Sequence, residues 1–101
     1  MKEATVVDVL HVDCTTQIID VRERDELASG MIDGAVSLPM SKIGSRLGAL
    51  ARARPIVAVC QSGRRSASVA IALTEAGFAC DTMAGGMIQW AVEGLPVTRL
   101  R

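Results

Sequence analysis

A chain of 101 residues has room for one core, and half of its residues are apolar, enough to build a compact interior without disulfide staples. Phe78 and Trp90 are its only aromatic residues, and 11 Lys and Arg balance 11 Asp and Glu. These figures argue against a disordered chain, which would be polar and charge-heavy, and against a nucleic-acid binder, which needs stacking rings along a basic groove.

Thr5 to Val7 is a β-branched run and predicts a first short strand. Gln17 to Val21 predicts a second, apolar enough to be buried on both faces. Arg22 to Ser29, charged around Leu27 and stopped by Gly30, predicts a short surface helix, and Ala35 to Leu38 a brief strand before Pro39. Ser41 offers an N-cap to a helix with Ile43, Leu47 and Leu50 on one face, ending before Pro55. Ile56 to Val59 is the clearest strand. The polar loop Cys60–Arg65 follows, and then a helix over Ser66–Ala76 with Val69, Ala70, Leu73 and Ala76 on one face, closed by Gly77. Ala79 to Met83 predicts the last strand, and Met87, Trp90 and Ala91 mark a final helical face between Gly85-Gly86 and Gly94. No linker or repeat divides the chain, so one domain over 1–101 is expected. Strands alternating with helices imply an α/β fold with a largely parallel sheet.

No apolar run approaches a bilayer span, so no membrane partner is expected. Asp8 interrupts the start before any apolar leader develops. Cys14, Cys60 and Cys80 are odd in number and form no CxxC pair, which disfavours a disulfide framework or a zinc knuckle and points to a reducing cytoplasm. Charge is unevenly placed: residues 1–50 carry five basic and eight acidic groups, residues 51–101 six and three. The second half thus attracts small anions modestly.

Cys60 stands where the best strand ends and the best helix is about to begin, the place where open α/β sheets bind ligands. The loop amides and the first helical turn lack intrahelical acceptors there. Converging on one point, they form an anion nest backed by the helix dipole, which stabilises a thiolate. Gly63 permits a positive φ, and Arg64 and Arg65 add fork-shaped donors for an oxyanion. Two arginines at a helix start are unfavourable unless something anionic visits. Cys14, in a polar connection, and Cys80, in an apolar strand, read as ordinary side chains. His11, the only histidine, lies far off in the sequence and reads as a partly exposed surface residue. A thiolate activated by amides needs no base, which favours attack on sulfur or phosphorus.

The chain resembles the single-domain rhodaneses, the thiosulfate sulfurtransferase-like family, along nearly its whole length. The resemblance rests on Ile19-Asp20-Val21-Arg22-Glu23, on Gly30-Met31-Ile32-Asp33-Gly34-Ala35 with Leu38-Pro39, on Cys60-Gln61-Ser62-Gly63-Arg64-Arg65-Ser66, and on Gly85-Gly86-Met87-Ile88-Gln89-Trp90 with Gly94-Leu95-Pro96-Val97. Each motif is weak alone; four in order are strong. The resemblance implies a three-layer α/β fold, a mostly parallel sheet of about five strands flanked by helices. It implies that Cys60 takes sulfur from a small anionic donor such as thiosulfate and becomes a persulfide. The amides of Gln61 to Ser66 would hold that persulfide, Arg64 and Arg65 would bind the donor, and a thiol, cyanide or a protein would accept the sulfur. No metal or organic cofactor is implied. Asp20, Arg22 and Glu26 match family positions and read as structural supports, with Arg22 and Glu26 spaced to pair. Met31 and Asp33 replace a histidine and a proline of the family's second motif, in a segment that shapes the chain.

Two other readings stand beside this one. Cell-division dual-specificity phosphatases share the fold but carry Cys-x5-Arg; here Ser66 holds the sixth place after Cys60 and Arg65 comes one early. The shorter loop is tight for a tetrahedral phosphate. A non-catalytic or sulfur-carrier module that docks a partner protein is the other, and the retained cysteine and complete loop favour the carrier form over a purely structural one.

Overall fold

The computed structural model describes residues 1–99, so the last two residues of the expected 1–101 domain lie outside the described residues. Five strands, β1 (Glu3–Ala4), β2 (Gln17–Asp20), β3 (Val36–Ser37), β4 (Ile56–Val59) and β5 (Cys80–Met83), form one sheet in the order β1-β5-β4-β2-β3. Every pairing in it is parallel. Three α-helices cover it: α1 (Val6–Leu10), α2 (Arg64–Glu75) and α3 (Gly86–Val92).

Residue parity along the strands separates two cores. Ile19, Val21, Ile56, Ala58 and Cys80 meet Val69, Ala70 and Leu73 of α2 on one face. Ile18, Val57, Val59 and Met83 meet Val6 and Val9 of α1 and Met87 and Trp90 of α3 on the other. The expected three layers are therefore present. β4 lies in the middle of the sheet with all four residues buried, which is why it reads as an unbroken apolar run.

Several expected elements take a different form. Thr5–Val7 is not a strand. β1 ends at Ala4, and the Thr5 hydroxyl accepts from the Asp8 amide at 3.0 Å while Asp8 accepts from the Thr5 amide at 3.1 Å. This capping box starts α1 and overrides the β preference of the residues it caps. The expected helix after Ser41 is two 3₁₀ segments, Met40–Ser45 and Leu47–Ala49. Gly44 and Gly48 weaken an α-helix there, and the Ser41 hydroxyl donates to Glu23 at 2.7 Å instead of capping. Arg24–Ser29 is likewise 3₁₀. α2 begins two residues earlier than expected, because Gly63 at φ +98° is its N-cap. Near the end of the chain, Thr98 forms an antiparallel bridge with Met31, and the Trp90 ring nitrogen donates to the Pro96 carbonyl at 3.0 Å.

Candidate active site

The loop between β4 and α2 folds around the sulfur of Cys60. The Gly63 amide donates to Sγ at 3.0 Å and the Ser66 amide at 3.3 Å, and Sγ lies 3.4 Å from the Ser66 hydroxyl. Burial by itself raises the thiol's pKa. The Ser66 hydroxyl and the amides of Ser66, Gly63 and Ser62 outweigh it, and the net displacement is downward. The expected nest of inward amides is present.

Access to the sulfur is closed. Cys60 is 0 % exposed, and Ser66 is equally covered. Among the loop residues Ser62 and Arg64 are exposed, while Gln61, Gly63 and Arg65 are half-buried. The sulfur is thus electrostatically prepared yet closed to solvent in this state.

A second segment aims the amides. The Met87 amide donates to the Cys60 carbonyl at 2.9 Å and the Ile88 amide to the Gln61 carbonyl at 3.0 Å. With those two carbonyls held by the first turn of α3, the loop's own N–H groups are free to face Sγ. Such an approach leaves no space for a side chain: a Cβ on Gly86 would sit 2.4 Å from the Gln61 carbonyl oxygen and 2.6 Å from that of Cys60. Gly86 also has φ +60°. The Gly85-Gly86 pair is therefore part of the sulfur cradle as well as a strand terminator.

The supports behind the loop pair differently from expectation. Arg22 and Glu26 do not form a side-chain pair. Asp20 takes the Arg22 guanidinium in a fork, 3.0 Å from Nε and 2.7 Å from Nη2, with both residues buried. Remaining Arg22 donors reach the Gly30 carbonyl at 2.8 Å, the Glu26 carbonyl at 3.3 Å and the Gln61 side-chain oxygen at 3.4 Å. A buried guanidinium requires such full satisfaction, and here it ties the β2 end to the cysteine loop. Glu26 instead binds Arg65, which donates from both terminal nitrogens at 2.7 Å. That pairing, with the Glu23 amide and the nearby Arg22 charge, outweighs desolvation and holds the Glu26 carboxyl at about 2. Arg65 is therefore engaged, and Arg64 is the exposed cation of the loop.

Cys14 is exposed; Cys80 is buried, and burial with the neighbouring Asp81 pushes its thiol up to about 12. His11 is exposed at the C-terminus of α1. Among the described residues no group of three or more His, Cys, Asp or Glu is placed to hold a metal ion. Sequence reasoning missed Thr82 of β5, whose hydroxyl lies 2.7 Å from that of Ser66; a partner 16 residues away on another strand leaves no local signal.

A parallel sheet that delivers a cysteine to inward-facing amides at the start of the next helix defines a class of thiol-centred α/β proteins. Within that class the rhodanese-like domain model matches residues 4–93, and the chain belongs to this family. YtwF of Bacillus subtilis (strain 168) is 37% identical over 93 residues, covering 92% of this chain and 90% of that protein. The thiosulfate sulfurtransferase GlpE of Shewanella oneidensis is 34% identical over 77 residues, 75% of this chain and 76% of its own length. The crystal structure of a rhodanese-related protein from Thermoplasma volcanium superposes with a TM-score of 0.91 at 28% identity, covering 97% of this chain and 98% of its own.

Proposed function

We propose that this protein is a sulfurtransferase that moves sulfane sulfur from an anionic donor such as thiosulfate to a thiophilic acceptor through a persulfide on Cys60. The observation that carries the reading is the convergence of the Gly63 and Ser66 amides on Sγ. The thiolate attacks the outer sulfur of thiosulfate; a new S–S bond forms, and sulfite leaves with the electrons of the old one. The terminal sulfur of the persulfide then carries the negative charge, and the amides of Gln61 to Ser66 hold it by donating to it. Cyanide, a thiol or a protein acceptor attacks that outer sulfur and returns Cys60 to the thiolate. Dividing the transfer in two lets one preorganised set of donors serve both halves. Arg64 and Arg65 bind the donor's sulfonate, and neither step requires a metal or organic cofactor. GlpE, by its name a thiosulfate sulfurtransferase, supports this donor class.

The covered sulfur also favours the carrier version of the same chemistry, in which a docked partner protein opens the loop and receives the sulfur. Intact-mass spectrometry after incubation with thiosulfate tests the common step. The expected result is a gain of one sulfur atom, absent in Cys60→Ala and removed by cyanide. No gain with several sulfur donors would refute the transferase reading.

A further inference from the structure

Ser66 Oγ lies at the junction of three groups: Sγ of Cys60 at 3.4 Å, the Gly63 carbonyl at 3.3 Å and Thr82 Oγ1 at 2.7 Å. Ser66 is 0 % and Thr82 2 % exposed, so their hydroxyl protons must be shared among these partners.

We infer that Thr82 is a positioning residue for the reactive sulfur, acting through the Ser66 hydroxyl as a two-hydroxyl chain whose direction follows the charge on Sγ. A hydroxyl has one proton, and the state of the sulfur decides where each points. In the neutral thiol the S–H donates to Ser66 Oγ, and the Ser66 proton turns to the Gly63 carbonyl or to Thr82. Once the thiol proton has left to solvent, Sγ is acceptor-only. The Ser66 O–H then donates to sulfur, and Ser66 Oγ is free to accept from Thr82. The Thr82 donation polarises the Ser66 hydroxyl and strengthens its bond to the anion. The chain therefore favours the thiolate without placing a charge near it.

Placement in the fold supports this role. Thr82 sits on β5 opposite Ala58 of β4 and Glu3 of β1, and its side chain reaches α2 within the face of the sheet that carries Cys60. The charged groups facing the cradle are Arg65 of α2 with its partner Glu26, and Arg22 with its partner Asp20; α3 contributes backbone amides. Asp81, the acidic neighbour on β5, accepts from the Lys2 amide at 2.9 Å. A change confined to the Thr82 hydroxyl leaves all of them in place.

The inference rests on the thiolate at Cys60 and is tested without sulfur transfer. The rate of Cys60 alkylation by iodoacetamide, followed site by site across pH, reads the thiol midpoint. Thr82→Val, equal in shape but without the hydroxyl, should move the midpoint upward by roughly half to one pH unit. Thr82→Ser should restore it, and Thr82→Val in a Ser66→Ala background should add nothing. An unmoved midpoint in Thr82→Val overturns the inference, and so does an equal rise in Thr82→Ser, which would assign the effect to packing. Failure of all variants and wild type to take up sulfur, with the midpoints behaving as stated, would strike the transferase reading and leave the hydroxyl chain standing.

Discussion

Arg65 lies across Glu26 with both terminal guanidinium nitrogens 2.7 Å from the carboxylate oxygens, joining the first turn of α2 to the 3₁₀ segment after β2. Each side chain is about one third exposed, at 34% and 32%. The carboxylate thus occupies the donors that an incoming sulfonate would use, and it does so beside a sulfur that has no exposed surface.

Competition between Glu26 and the donor has a kinetic signature. Glu26→Gln should lower the KM for thiosulfate several-fold, because the guanidinium no longer has an internal anion to leave. Arg65→Ala should raise that KM about ten-fold and change the use of an uncharged organic polysulfide much less. Steady-state thiocyanate formation in the presence of cyanide measures both; equal losses for charged and uncharged donors would contradict the charge-based role.

The same pair predicts an acid limb of stability. The folded carboxyl lies at about 2 against an ordinary 4.5, so the unfolded chain binds a proton first as pH falls. The contribution is complete above about pH 4.5 and is lost on the way down to about 2. Thermal unfolding should therefore show wild type above Glu26→Gln at pH 6, with the gap closing through that window. Partial exposure of the pair keeps the gap small.

The three thiols should behave differently. Cys60→Ala should abolish sulfur uptake. Cys14→Ser should leave most of the activity, since that side chain is exposed and away from the loop. Cys80→Ser should also leave most of it, and the Cys80 thiol, pushed up to about 12, should stay unmodified by alkylating reagents at neutral pH. Peptide mass mapping after brief iodoacetamide treatment checks the order of reactivity.

Gly86→Ala should destabilise by about 2–3 kcal/mol, because the added carbon meets the carbonyls of Cys60 and Gln61 at 2.6 and 2.4 Å. It should also raise the Cys60 midpoint by turning the loop. Gly44→Ala, with nothing within 4 Å of the new carbon, is the control and should stay within about 1 kcal/mol of wild type. Urea unfolding and the alkylation profile report the two effects.

The parts of this structure legible in the sequence are those whose signals are local. Ile56–Val59 is buried throughout and reads as a strand; the apolar spacing of Val69, Ala70 and Leu73 reads as the buried face of α2. The cysteine loop could be placed because a strand end, a glycine and a helix start adjoin one another. Where the structure departs from the local signal, two signals compete at one residue. Thr5 carries both a β-branched side chain and a capping pattern with Asp8, and the cap prevails. Ser41 resembles an N-cap but is drawn to Glu23. Arg22 stands four residues from Glu26, yet Asp20, two residues back at the end of β2, offers a buried carboxylate fork. The Ser66–Thr82 contact and the hold of α3 on the loop arise only when distant strands are assembled.

That hold makes the cradle a joint product of two stretches of chain. A protein cut after β5 would keep Cys60, every loop residue and the whole of α2, yet lose the amides of Met87 and Ile88 that restrain two carbonyls. Those oxygens would be free to swing toward the sulfur and repel its charge. Reactivity at position 60 is thus on loan from a helix more than twenty-five residues downstream, and any redesign that borrows the loop must bring that helix with it.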